Sequence, residues 1–279
     1  MTRLLSVLTL LWACGPKDSA TIPGDANTNT NTNTAAGLGS DATLADWSLS
    51  DQALQPDFDS DRVWYAAHAG STEQITAIPT DPKASVALVV QNMDGLELER
   101  FGASADIDLD GGEQIVAEVT SADGAQTNTY TLTPLPTDFP ELDVWNAGEP
   151  GTGWYFLCNM DFNPLPPGEG SYLMIVDSLG IPRWIKRKEV LTFDFRAARG
   201  DRTSWADDND DDSAGYVREA DGEITEWRGE RQVDPHEFRL LDNGNALMVA
   251  REAVPEDMTY LGGPALQLML HQAAQEISP

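Results

Sequence analysis

Between Asp41 and Pro136 apolar and polar residues alternate in short runs separated by turn residues. Leu44–Leu49, Val63–Ala67, Ile75–Ile78, Ser85–Val90, Ile115–Val119 and Thr129–Leu132 each have the period-two texture of a half-buried strand. Their close spacing predicts a β-sandwich over residues 41–136. Pro134, Pro136 and Pro140 then interrupt the periodicity and place a boundary between Leu132 and Asp143. Beyond it, over residues 138–279, hairpins recur. Tyr172–Trp184 and Gly215–Trp227 each read as a strand, a Gly-containing turn and a strand ending in Trp, and Glu237–Val249 carries the Asn243-Gly244 hairpin signal. Hairpins repeating roughly every 40 to 50 residues are the texture of propeller blades. The expected fold class is therefore all-β, a sandwich followed by blades.

The N-terminus follows a different pattern. Met1-Thr2-Arg3 precedes the apolar run Leu4–Trp12, which ends in Ala13-Cys14. A bilayer span needs roughly 20 apolar residues, so this run reads as an export signal over residues 1–13. Leu11-Trp12-Ala13-Cys14 resembles a lipobox, which implies cleavage before Cys14 and lipidation of its thiol; the alternative is a secreted chain with an incidental cysteine. Gly15 after the cysteine resembles lipoproteins that are not kept at the inner membrane. The resemblance therefore implies lipid anchoring at the outer membrane, on its periplasmic or cell-surface side. Residues 14–40, with the Asn27–Thr34 repeat, read as a polar tether.

Charge narrows the range of partners. With 17 Lys+Arg against 46 Asp+Glu the formal net charge is −29, which excludes the basic face that nucleic acid requires. Twelve of those 17 basic residues lie between Arg183 and Arg251, so the acidity is sharpest in the first domain. A 41% hydrophobic content is enough to build packed cores. Two cysteines, Cys14 and Cys158, give no disulfide framework, and Cys158 reads as a core thiol.

Two families enter by resemblance. Leu44–Leu49, Leu54–Phe58, Val63–Tyr65, Val119–Gly124 and Thr129–Leu132 resemble the cadherin-like β-sandwich repeat of bacterial surface proteins. Asp234-Pro235-His236-Glu237-Phe238, followed by Asn243-Gly244-Asn245-Ala246-Leu247, resembles the most specific signature of the arylsulfotransferase family, and Leu268–Pro279 resembles a strand of the same family. That likeness implies the first blades of a propeller that is six-bladed in the family, moving a sulfuryl group between phenolic compounds through a channel histidine, with no cofactor and no metal. It implies small phenolic or aryl sulfate substrates and makes His236 the candidate catalytic residue. About 140 residues supply only about three blades, so an incomplete propeller is expected, from a fragment or a truncated gene product, inactive as it stands. The alternative function is a non-catalytic surface protein that binds glycans or partner proteins.

The chemistry of a histidine suits this role. Neutral imidazole attacks sulfur as a nucleophile, and imidazolium holds sulfuryl oxygens. The bland alternative for His236 is a structural histidine hydrogen-bonded across blade turns. His271, in an apolar run, is expected to be packed, and His68 to lie at the surface. Asp106-x-Asp108-x-Asp110-Gly111 opens like a calcium loop, but its twelfth position is Ala117, and the alternation of Ile107 and Leu109 reads better as a strand running into the Gly111-Gly112 turn. Asp207–Asp212 reads as a solvated loop.

Overall fold

A computed structural model describes residues 39–50, 52–145, 153–159, 168–209 and 213–278. The expected export signal and most of the expected tether, with Cys14, lie outside the described residues. Eight strands build the sandwich: β1 (Leu44–Leu49), β2 (Trp64–His68), β3 (Thr72–Pro79), β4 (Ser85–Asn92), β5 (Glu97–Phe101), β6 (Ser104–Asp108), β7 (Glu113–Thr120) and β8 (Thr127–Leu135). They form one sheet ordered β1-β3-β6 and another ordered β2-β8-β7-β4-β5. All pairs are antiparallel except β2 with β8.

The inward positions of both sheets make one core, with Leu49, Ile75, Leu88, Ile107, Ile115 and Leu132 fully buried. At its centre the Trp47 ring meets Tyr65 and Tyr130 edge-on, at 5.8 and 6.3 Å between ring centroids, the geometry that sets a positive ring edge against a negative ring face. The Tyr130 hydroxyl donates to the Ser60 carbonyl at 3.0 Å and accepts from the Leu44 amide at 3.2 Å. The ring is thus buried without stranding its polar end. Ile107 and Leu109 point inward, and Asp106 and Asp108 outward, as an ordinary strand requires.

Strand β8 departs from the sequence reading at Pro134. Instead of ending there it runs to Leu135, because β7 pairs with β8 only as far as Leu132, and Pro134 lies opposite Ala67 of the outer strand β2. A proline that owes no hydrogen bond to a central neighbour fits there.

Ten further strands form three antiparallel sheets: β9 (Tyr155–Cys158), β10 (Ser171–Val176) and β11 (Pro182–Lys188); β12 (Leu191–Ala198), β13 (Arg202–Asp208), β14 (Ala214–Arg218) and β15 (Ile224–Trp227); β16 (Val233–Leu240), β17 (Ala246–Glu256) and β18 (Gln267–Ile277). Each sheet is an up-and-down meander in chain order. The first strands β9, β12 and β16 lie side by side, and the sheets stack face to face. Leu173, Trp184, Phe195 and Trp205 fill the first seam, and Val217, Trp227, Phe238 and Met248 the second. The second seam is so tight that a Cβ on Gly215 would come within 2.2 Å of the Phe238 ring. This is the packing of consecutive propeller blades, and among the described residues the sheets do not close into a ring. Trp227 ends its strand as expected. Trp184 does not, since β11 continues to Lys188.

The sandwich and the first blade share a core. Ala66 and Leu135, on the outer face of the five-stranded sheet, pack with Phe139, Tyr172, Met174 and Ile185. Gln114 Nε2 donates to the Arg183 carbonyl at 2.8 Å, and the Arg183 guanidinium lies 4.5 Å over the Trp64 ring. Between the domains, Asp138 Oδ1 accepts from the Tyr172 hydroxyl at 2.5 Å and Oδ2 from Arg187 Nε at 2.8 Å. Burial pushes the pKa of Asp138 up, but the hydrogen bonds from Tyr172 and Arg187 and the guanidinium charge outweigh it and hold the carboxyl below its ordinary range. A depressed folded pKa contributes stability above the unfolded pKa, and that stability is lost as pH falls through the folded value. Asp138→Asn should therefore melt below wild type at neutral pH, with the gap closing as the pH falls below about 4. Melting curves across that range check this, and a gap that persists in strong acid contradicts it.

Candidate functional site

His236 sits in β16, where the strand leaves its ladder. Asp234 pairs with Val249 and Phe238 with the adjacent Met248, so Pro235, His236 and Glu237 bulge out with no partner on β17. Proline lacks the ladder donor and is at home in a bulge, and bulges re-aim side chains. Pro235 therefore helps to dictate the shape that presents His236.

The preceding blade carries a matching irregularity. β12 shifts register between Phe193 and Arg196, and within that shift Asp194 adopts a left-handed backbone, φ 55°. Aspartate tolerates this conformation better than most residues. The carboxylate of Asp194 crosses to β16, where Oδ2 accepts from the Phe238 amide at 2.8 Å. The amide beside the bulge thereby regains an acceptor. Arg196 bonds the other oxygen of Asp194 and stands 3.4 Å from Glu237 Oε2. The two bulges are thus tied together across the blade seam.

The imidazole of His236 is held from behind and open in front. Its ring lies 4.9 Å from that of Phe193, its backbone amide donates to Asp234 Oδ1 at 3.1 Å, and its Nδ1 hydrogen-bonds the same oxygen. The Asp234 side chain is only 8% exposed, whereas that of His236 is 62% exposed. Burial pushes the Asp234 carboxyl up, but the side-chain and backbone hydrogen bonds from His236, with the charges of His236 and Arg251, hold it below its ordinary value. An ionised carboxylate only accepts hydrogen bonds, so Nδ1 carries the proton and the Nε2 of a neutral ring offers its lone pair to solvent. A buried carboxylate that fixes the tautomer of an exposed imidazole is the arrangement that nucleophilic and general-base histidines use.

The other sites of the sequence reading fall elsewhere. His271, expected to be packed, is half exposed on the ribbon where β17 and β18 run beyond β16, and its Nε2 lies 2.7 Å from Glu256 Oε1. Among the described residues no blade packs against this overhanging ribbon to bury a side chain. His68 is half-buried at the end of β2. Cys158 is a free thiol packed beside the first blade seam, its pKa raised by burial. Asp207 is not solvated; it is buried, accepting from Lys188 Nζ at 2.7 Å and Thr192 Oγ1 at 2.8 Å. Residues 210–212 lie outside the described residues. Among the described residues no group of three or more His, Cys, Asp or Glu side chains is placed to hold a metal ion.

Residues 40–134 match the family model of the cadherin-like beta sandwich domain. The match covers nearly all of the eight-stranded sandwich. No curated protein and no solved structure matches the chain.

Proposed function

We propose that the chain is the cadherin-like sandwich and first blades of an arylsulfotransferase-like lipoprotein, in which His236 binds or accepts the sulfuryl group of an aryl sulfate for transfer to a phenol. The observation that supports this most is the Asp234–His236 pair on a bulge, with Nε2 open to solvent. In a transfer step, the Nε2 lone pair forms the N–S bond while the S–O bond to the phenol breaks and the phenolate leaves. The acceptor phenol oxygen then bonds the sulfur as the N–S bond breaks and its electron pair returns to Nε2, and the phenol proton passes to solvent. Asp234 keeps Nδ1 protonated and stabilises the positive charge the ring acquires. The reading belongs to a protein that carries the complete ring of blades. It is tested there by transfer from 4-nitrophenyl sulfate to phenol, read as release of 4-nitrophenolate, in wild type and in His236→Asn.

Lipid attached to Cys14 would hold the protein at the outer membrane, and the tether would let the folded part stand off the surface. Cys14→Ser should move the protein from the detergent phase to the aqueous phase in phase partitioning. A wild-type protein already in the aqueous phase contradicts the anchor. The reading as a surface binding protein gains from the cadherin-like domain, and an active Asp234–His236 pair argues against it.

A further inference from the structure

Where the sandwich meets the outer edge of the first blade, a cleft of about 640 Å³ opens along β11. Its volume falls within the ~300–1,000 Å³ of small-molecule sites. The apolar part of its wall comes from Met93, Pro136, Tyr172, Trp184, Ile185 and Ile224. Its three cations, in a chain of net charge −29, are Lys186, Arg187 and Arg218.

Two of these cations are already paired. Arg218 bonds Asp94 and lies 5.4 Å over the Trp184 ring, and Arg187 bonds Asp138 and Glu189. Lys186 is half-buried, and its ammonium has no hydrogen bond or ion pair among the described residues. The acids around it are committed elsewhere: Asp94 to Arg218, Asp138 to Arg187, and Asp207 to Lys188 and Thr192. Asp110 lines the cleft as well but is exposed to solvent. Burial, with repulsion from Lys188 and Arg218, disfavours the ammonium, against the attraction of Asp94 and Asp207. A half-buried charge without a counterion costs free energy that a bound anion would return. On the rim of the cleft Gly222, φ 88°, approaches Asp94 so closely that a Cβ there would lie 2.3 Å from Oδ2.

We infer that this interdomain cleft binds a small organic oxyanion with a flat apolar body, its anionic head on Lys186 and its body against the apolar wall beside Trp184 and Ile185. The site lies on the outer strand of the first blade, away from β16, and the inference does not depend on the role of His236.

Benzoate, with benzyl alcohol as its uncharged counterpart, probes the site in the full chain. Benzoate should raise the melting temperature of wild type and benzyl alcohol should not. Lys186→Met should melt no lower than wild type, since it removes an uncompensated half-buried charge, and should bind benzoate at least tenfold more weakly. Lys186→Arg, which keeps the charge, should retain the benzoate effect. A wild type indifferent to benzoate, or a Lys186→Met protein that responds equally, overturns the inference. So does a melting temperature lowered in Lys186→Met and restored in Lys186→Arg with no benzoate effect in either, because the lysine would then be structural.

Discussion

Trp47→Ala should cost the sandwich about 3–5 kcal/mol, the range for truncating a buried tryptophan to alanine. The site offers little room for collapse. Trp47 is 2% exposed, and the Tyr65 and Tyr130 rings that would have to close the gap are pinned by their hydroxyls. Tyr65 donates to the Asp59 and Arg62 carbonyls at 2.5 and 2.9 Å, and burial, its largest influence, pushes its pKa up to about 12. Movement of either ring would sacrifice buried hydrogen bonds, so the cavity stays open. Trp47→Phe should cost much less. The indole Nε1 is buried with no hydrogen-bond partner, so replacing the ring loses volume and strands nothing. Urea unfolding followed at the β7 amides checks this as a fall in midpoint at constant slope. Equal midpoints for wild type and Trp47→Ala would contradict the packing described.

How much of this was legible in the sequence varied with burial. β1, β4 and β7 bury alternating or continuous apolar residues, and their runs predict them to within a residue or two. β5 is Glu-Leu-Glu-Arg-Phe at a sheet edge, exposed at four of its five positions, and is held partly by Arg100 bonding Glu97 and Glu118. An edge strand that buries so little leaves no apolar period to read. The end of β11 was missed for a related reason: Lys186, Arg187 and Lys188 form a polar run with no apolar period, yet they pair with β10, Arg187 bonding Asp138, Lys188 bonding Asp207 and Lys186 lining the cleft. At the candidate site the motif pointed to His236, but the bulge at Pro235–Glu237 that presents it was not read from the sequence. Asp194 gave no signal. Its role depends on two bulges on separate strands meeting across a seam, and period-two reasoning carries no information about registry between sheets.

If the imidazole of His236 meets the sulfuryl group, His236→Asn is the variant that exposes it. Removing the group that bonds the sulfur should cost at least as much as losing one preorganised donor to the charged oxygens, which is about 2.7–4 kcal/mol, or 100- to 1000-fold in rate. Asparagine keeps a polar donor of similar reach to Asp234, and the wild-type side chain is largely exposed, so folding stability should barely change. In a protein with the complete ring of blades, the measurement is the initial rate of 4-nitrophenolate release from 4-nitrophenyl sulfate with phenol as acceptor, taken beside the melting temperature. The account predicts a loss of at least tenfold in rate at an unchanged melting temperature; an unchanged rate with a lowered melting temperature would show that His236 only ties the blades together.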